Sequence, residues 1–291
     1  MGFLVPIGGG AIGPVVINKL LMLAGGGAGR RVVVLPMAAG RDHLASGERY
    51  ADLFRRQGAA NVQVLDVANR QQATEASNVG AVAAADIVFF GGGDQTRLTA
   101  AIAGSPMETV LRRRLYEDLV LAGTSAGAAV MGEIMPASGT GWGSVLRGEA
   151  ASGAVLDESR EPLVLVDGLG FLPGVAVDQH FLARGRFGRL LYTISKYRRQ
   201  SFLGLGIDEG TALFIDFPSL VGEVTGDGAV MLFRASRDGY DNLPEVGIGS
   251  PLATFGMTVD VLSPGCAVDV GRGLPIAPPA AAREAAVSAD A

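Results

Sequence analysis

Cysteine is almost missing from this chain. Cys266 is the only one in 291 residues, which excludes an intrachain disulfide and any cysteine-rich metal site. Histidine is nearly as scarce, with only His43 and His180, so imidazole chemistry has two candidates at most. Charge is sparse too: 18% charged residues against 48% hydrophobic ones, with a net charge of -5. That balance excludes general disorder and offers no global basic surface, so nucleic acid is not an expected partner. No apolar run reaches the ~20 residues of a membrane-spanning helix. Met1 to Leu4 lack a basic n-region, so no secretory signal is expected. Gly2 fits the start of a myristoylation pattern, but Pro6 stands where that pattern wants Ser or Thr. The expectation is a cytoplasmic protein with no membrane attachment.

Glycine is what the chain has in excess. Its 43 glycines gather at the ends of apolar runs rather than in a fixed repeat. Phe3 to Ile7 reads as a first strand, closed by Gly8-Gly9-Gly10, and Val15 to Leu23 as a mostly buried helix. Arg31 to Leu35 is an apolar run ended by Pro36, which suits a strand buried on both faces. Ser46 to Gln57 predicts a helix with Ser46 as N-cap and Tyr50, Leu53 and Phe54 on its core face. Val62 to Leu65 and Ile87 to Phe90 are further strands, the latter followed by Gly91-Gly92-Gly93. Pro106 to Asp118 predicts a helix whose Arg112, Arg113 and Arg114 fan out as mostly solvated charge. Strands alternating with helices point to a parallel sheet covered on both faces.

From Thr211 the pattern changes. Ala212 to Ile215, Leu220 to Val224 and Ala229 to Phe233 read as strands on short turns, an antiparallel extension of the same sheet. The chain thus reads as one α/β domain over residues 1–274, followed by an Ala/Pro-rich disordered tail from Pro275 to Ala291. Gly139 to Ser152, with the lone Trp142, reads as a mobile surface loop.

The chemistry gathers at Gly123-x-Ser125-x-Gly127, which follows the apolar run Leu119 to Ala122 and opens an Ala-rich helix. This is a nucleophile-elbow pattern, in which small neighbours let the serine hydroxyl project above a sheet. N–H groups at the start of a following helix suit a developing oxyanion. Active sites of open parallel sheets lie outside the carboxyl ends of the strands, so Ser125 and Gly92 can face one cleft. Gly91 to Gln95 lacks the GxGxxG spacing of a dinucleotide site, and no cofactor or metal is expected. A serine needs a base. His180 follows the apolar run Val175 to Val177, whereas His43 lies in a polar loop and reads as a surface residue. Asp208 or Glu209, after the next apolar run, can orient the imidazole. The oxyanion donors would be Ala126 N–H and one N–H of Gly92 or Gly93. The order Ser…His…acid disfavours the α/β-hydrolase fold, which runs Ser…acid…His.

These residues carry a family likeness. Gly92–Gln95 (GGDQ), Gly123–Met131 (GTSAGAAVM), Asp178–Phe181 (DQHF), Arg184–Leu190 (RxRxxRL) and Gly206–Leu213 (GIDEGTAL) together resemble the cyanophycinases. Those enzymes group with the aspartyl dipeptidases as one family of serine peptidases. The resemblance implies a class I glutamine amidotransferase-like (flavodoxin-like) fold, commonly a homodimer, with Ser125 as nucleophile, His180 as base and Glu209 as the carboxylate. It also implies substrate-binding roles for Gln95, Asp178, Gln179, Arg184, Arg186 and Arg189. Arginine forks suit an acidic substrate, because they pair bidentately with carboxylates. The implied substrate is cyanophycin, a poly-aspartate backbone with arginine on each β-carboxyl, cut to β-Asp-Arg dipeptides. A dipeptidase for short Asp-X peptides and a non-catalytic binding protein on the same fold are the alternatives. Two departures bear on the substrate: the run Gly8 to Pro14 is uncharged, and Gly139 to Ala154 differs from the family's usual insert.

Overall fold

The computed structural model describes residues 1–139, 163–243 and 251–276. In chain order the strands begin with β1 (Gly2–Ile7), β2 (Arg31–Leu35), β3 (Asn61–Val64), β4 (Ile87–Phe90) and β5 (Val120–Thr124). These five form a parallel sheet in the order β1-β5-β4-β2-β3. β2 and β4 in the middle of the sheet are runs of Val, Ile, Leu or Phe whose alternate residues are buried on opposite faces, whereas the edge strand β3 is only partly covered. Val32, Val34 and Phe89 face one cluster with α1 (Pro14–Leu23) and α2 (His43–Arg56); Val33, Leu35 and Phe90 face the other. Burying one such Phe stabilises the fold by roughly 1.5–3 kcal/mol.

The second half of the chain does not simply extend this sheet. β10 (Thr211–Phe217) and β11 (Val221–Gly226) pair antiparallel onto its β1 edge, as expected. They are joined there by β14 (Ala267–Asp269) and β15 (Leu274–Ile276). β12 (Val230–Asp241), which contains the run expected in that extension, belongs instead to a second sheet. Its order is β13-β12-β9-β8-β6-β7, with β6 (Gly132–Ser138), β7 (Val164–Asp167), β8 (Leu172–Gln179), β9 (Leu203–Ile207) and β13 (Thr254–Leu262). Val175, Val177, Leu205 and Ile207 of this sheet share one core with Leu4, Val88 and Leu121 of the first. Its outer face is covered by α7 (Phe187–Lys196), through Leu190 and Ile194 packed on Ala176 and Phe233. Period-2 patterning marks a strand but not which sheet it joins, so this assignment needs the tertiary core.

Three local expectations change. Ser46 is not an N-cap: α2 begins at His43, and Ser46 is buried in its second turn beside Gly47. The helix after Ser125 is a single turn, α6 (Ala126–Ala129), so it contributes N–H groups but little macrodipole. Of the three arginines of α5 (Pro106–Leu115), Arg113 is the most solvated. Arg112 donates to Leu169 O and Gly170 O, and Arg114 to Ala83 O and Ala85 O. Residues 140–162, with Trp142 and most of the expected surface loop, lie outside the described residues. The expected tail overlaps β15, since Pro275 and Ile276 pair with Val268 and Ala267, and residues 277–291 also lie outside them.

Candidate active site

Ser125 follows β5, the strand between β1 and β4, with φ 53° and ψ -113°. That conformation costs a non-glycine residue about 1–3 kcal/mol and is stored in the turn. The turn is held by Ser125 N–H donating to Ile7 O at 3.0 Å. Its glycines are sterically required. A Cβ on Gly123 would stand 2.4 Å from Gly127 O, and one on Gly127 would stand 2.5 Å from Phe90 O.

His180 follows β8 of the other sheet and also has positive φ, at 47°. Its N–H donates to Gly8 O at 2.6 Å. The ring lies over Gly9, whose Cβ, if present, would fall 2.3 Å from His180 Cε1. His180 Nε2 is 2.9 Å from Ser125 Oγ, and Nδ1 is 2.5 Å from Glu209 Oε1. The chain crosses from the second sheet to the first at Asp208-Glu209-Gly210, between β9 and β10, so Glu209 stands where the two sheets meet. Asp208 points elsewhere: its carboxylate accepts the N–H groups of Leu182 at 3.0 Å and Ala229 at 3.3 Å. Hydroxyl, imidazole and carboxylate therefore form one continuous line. Burial pushes the His180 pKa below its ordinary value; the Glu209 hydrogen bond opposes this, and the charges of Arg184 and Arg186 add to the lowering. A neutral imidazole at neutral pH can accept the serine proton. His43 is remote from this line, bonded through Nε2 to Asp66 at 2.7 Å and through Nδ1 to Gly40 O.

The remaining candidates divide. Gln179 is close to the nucleophile: Ser125 Oγ is 3.3 Å from its Oε1. Asp178 and Arg189 are taken up with each other, in a buried two-pronged pair of 2.6 and 2.5 Å. A guanidinium spent on a buried carboxylate has no fork left for substrate, which corrects the expectation for both residues. Asp178 also accepts Gln179 N–H at 2.8 Å, and Arg186 donates to Gln179 O at 2.7 Å, so the network fixes the residue beside Ser125. Burial, then the charge of Arg189, lowers the Arg186 pKa to about 10. Two guanidinium groups share one carboxylate there, leaving Arg186 short of negative charge. Arg184 is exposed at the turn after His180. Gln95 is buried and donates to Pro136 O at 2.8 Å, tying α4 (Gln95–Ile102) to β6.

Of the expected oxyanion donors, Gly92 N–H is engaged, donating to Tyr50 Oη at 3.1 Å. Gly93 and Ala126 N–H have no acceptor among the described residues. Sequence reasoning missed the contact between Gly9 and His180, although Gly8-Gly9-Gly10 ends a strand just as Gly91-Gly92-Gly93 does.

The pattern of Peptidase family S51 matches residues 13–219. The cyanophycinase of Nostoc sp. is 35% identical over 240 residues, which is 82% of this chain and 75% of that protein. The cyanophycinase of Geminocystis herdmanii is 35% identical over 241 residues, covering 82% of each. Among solved structures, a peptidase from an acI-B1 Actinobacterium superposes with a TM-score of 0.63 at 22% identity, covering 92% of this chain and 96% of the other. That likeness concerns the fold, a helix-flanked α/β sheet of the class I glutamine amidotransferase type.

Proposed function

Because the chain belongs to peptidase family S51, and is thereby a serine-type peptidase, we propose that it is a cyanophycinase-type exopeptidase working through Ser125, His180 and Glu209. Ser125 Oγ attacks the backbone carbonyl while His180 Nε2 takes its proton. Glu209 accepts Nδ1–H, which fixes the tautomer and stabilises the imidazolium that forms. Gly93 and Ala126 N–H groups receive the oxyanion. His180 then returns the proton to the leaving amine, and water releases the acyl-enzyme by the same steps in reverse. The single observation that carries this reading is the 2.9 Å contact of Ser125 Oγ with His180 Nε2 at a strained elbow.

The substrate is cyanophycin, released as β-Asp-Arg dipeptides. The positive charge beside Ser125 favours it: Arg186 lacks a full counter-charge and Arg184 is open to solvent. These two arginines hold substrate carboxylates, while Arg189 supports Asp178. Incubating the purified protein with cyanophycin and with a panel of Asp-X dipeptides, then weighing the products by mass spectrometry, tests the reading. β-Asp-Arg is the expected product. Cleavage of the Asp-X peptides alone would make the protein an aspartyl dipeptidase.

A further inference from the structure

The loop that carries Gly93 is held in an uneven way. Gly91 N–H donates to Leu35 O at 3.0 Å and Asp94 N–H to Ala38 O at 2.8 Å, both bonds to backbone at and beyond the end of β2. Gly92 N–H, between them, is held by a side chain, the hydroxyl of Tyr50 at 3.1 Å. Gly93 N–H alone has no acceptor among the described residues. Three successive glycines lose more conformational freedom on ordering than any other tripeptide, so what restrains them matters. Tyr50 is well placed to do so. It reaches over from α2, its ring packs on Phe89 with centroids 5.2 Å apart, and it is half-buried. A Cβ on Gly92 would lie 3.0 Å from Tyr50 Oη and 3.3 Å from Ser125 Cβ, so this one glycine separates the hydroxyl from the nucleophile.

We propose that Tyr50 is a positioning residue for the oxyanion site, acting through Gly92 to aim the N–H of Gly93. The peptide bearing Gly93 N–H lies between two pinned N–H groups, and releasing either one frees it to rotate away. Loss of the hydroxyl also orphans Gly92 N–H beside the nucleophile. The effect falls on the transition state, because a ground-state carbonyl needs the donor less than an oxyanion does. This inference rests on the serine-peptidase reading above.

Tyr50→Phe removes the hydroxyl and keeps the ring. The assay is turnover of a small activated ester, normalised to the fraction of Ser125 that reacts with a fluorophosphonate, so that unfolded protein does not pass as slow enzyme. We expect kcat to fall about 10-fold or more, short of the ~10²–10³-fold cost of deleting an oxyanion donor outright. KM should stay within about twofold, as for an interaction made only in the transition state. The acid limb of the pH profile should not move, since His180 is untouched, and phosphonylation of Ser125 should slow in step with kcat. Full rate in Tyr50→Phe with a loss in Tyr50→Leu would overturn the proposal, because the ring alone would then matter. So would a change confined to KM. If wild-type protein is phosphonylated at Ser125 and Tyr50→Phe reacts equally fast, the inference fails and the peptidase reading stands. If the wild type neither reacts nor turns over the ester, both fail.

Discussion

Two runs of three glycines flank the nucleophile, and they serve it differently. Gly8-Gly9-Gly10 follows β1 and Gly91-Gly92-Gly93 follows β4, with Ser125 at the end of β5 between them. The first run makes room for side chains. Gly8 O accepts His180 N–H at 2.6 Å and Gly9 O accepts Gly210 N–H at 2.9 Å, drawing both arms of the His–Glu pair onto the loop. Hypothetical Cβ atoms on Gly9 and Gly10 would meet His180 at 2.3 Å and Glu209 at 2.8 Å. The second run presents backbone. Its N–H groups are pinned one by one until Gly93 is left, and Gly93 itself sits at φ 142° against Ala38 O. One residue type thus meets two needs: space beside the His180 ring and, in the proposed mechanism, an N–H left for the oxyanion with no protein acceptor among the described residues.

The comparison can be broken at either loop. Gly9→Ala drives a methyl group into the imidazole at a backbone φ of 97°. Its kcat should fall between the ~10²-fold cost of a ~1 Å misplacement and the ~10⁶-fold cost of losing the base. Its pH profile should shift as well, because the displaced imidazole changes its surroundings. Gly93→Ala keeps the N–H but sets a Cβ 2.1 Å from Ala38 O, so the peptide must shift. Its kcat should fall by up to about 10²–10³-fold, the cost of one oxyanion donor, with its acid limb unmoved. Matching pH profiles in the two variants would erase the proposed division of labour.

A smaller effect sharpens the base side. His180 must be neutral to act, and burial together with Arg184 holds its pKa below the ordinary ~6.5. Activity should therefore rise with pH through a midpoint below ~6.5 and be lost as pH falls through it. The His180 contribution to stability has the same sign: complete above the unfolded pKa and lost on acidification through the folded one. Arg184→Ala removes a positive charge that disfavours imidazolium, so the acid limb should move upward. A titration of kcat/KM in both proteins measures it, and a downward move would show that Arg184 acts otherwise.

How much of this was legible in the sequence follows from the range of the interactions. The parallel strands declare themselves locally, as apolar runs such as Arg31 to Leu35, and the elbow does so through its spaced glycines. Ser125 and His180 stand out as candidates because each sits at the end of such a run. The same signal leaves Asp208 and Glu209 equal, and only the tertiary contact of Glu209 with His180 Nδ1 tells them apart. Tyr50 and Gly92 are 42 residues apart, and no local pattern joins them. The Asp178–Arg189 pair shows the same limit: arginines after a histidine suit substrate binding until the buried partner is seen. Arg112 and Arg114 looked solvated because position on a helix does not reveal how far a long stem reaches toward carbonyls of neighbouring segments. Nor does Ser46 declare that it lies inside a helix; the turn from Pro36 to Asp42 starts α2 earlier than the cap pattern suggests.

The central claim is that Ser125 is a nucleophile activated by His180, and phosphonylation of the intact protein tests it most directly. Wild-type protein and His43→Ala should each gain one fluorophosphonate adduct, mapped by peptide mass spectrometry to Ser125, whereas His180→Ala and Ser125→Ala should gain none on the same timescale. An adduct on another residue, or equal labelling of Ser125 with and without His180, would contradict the account.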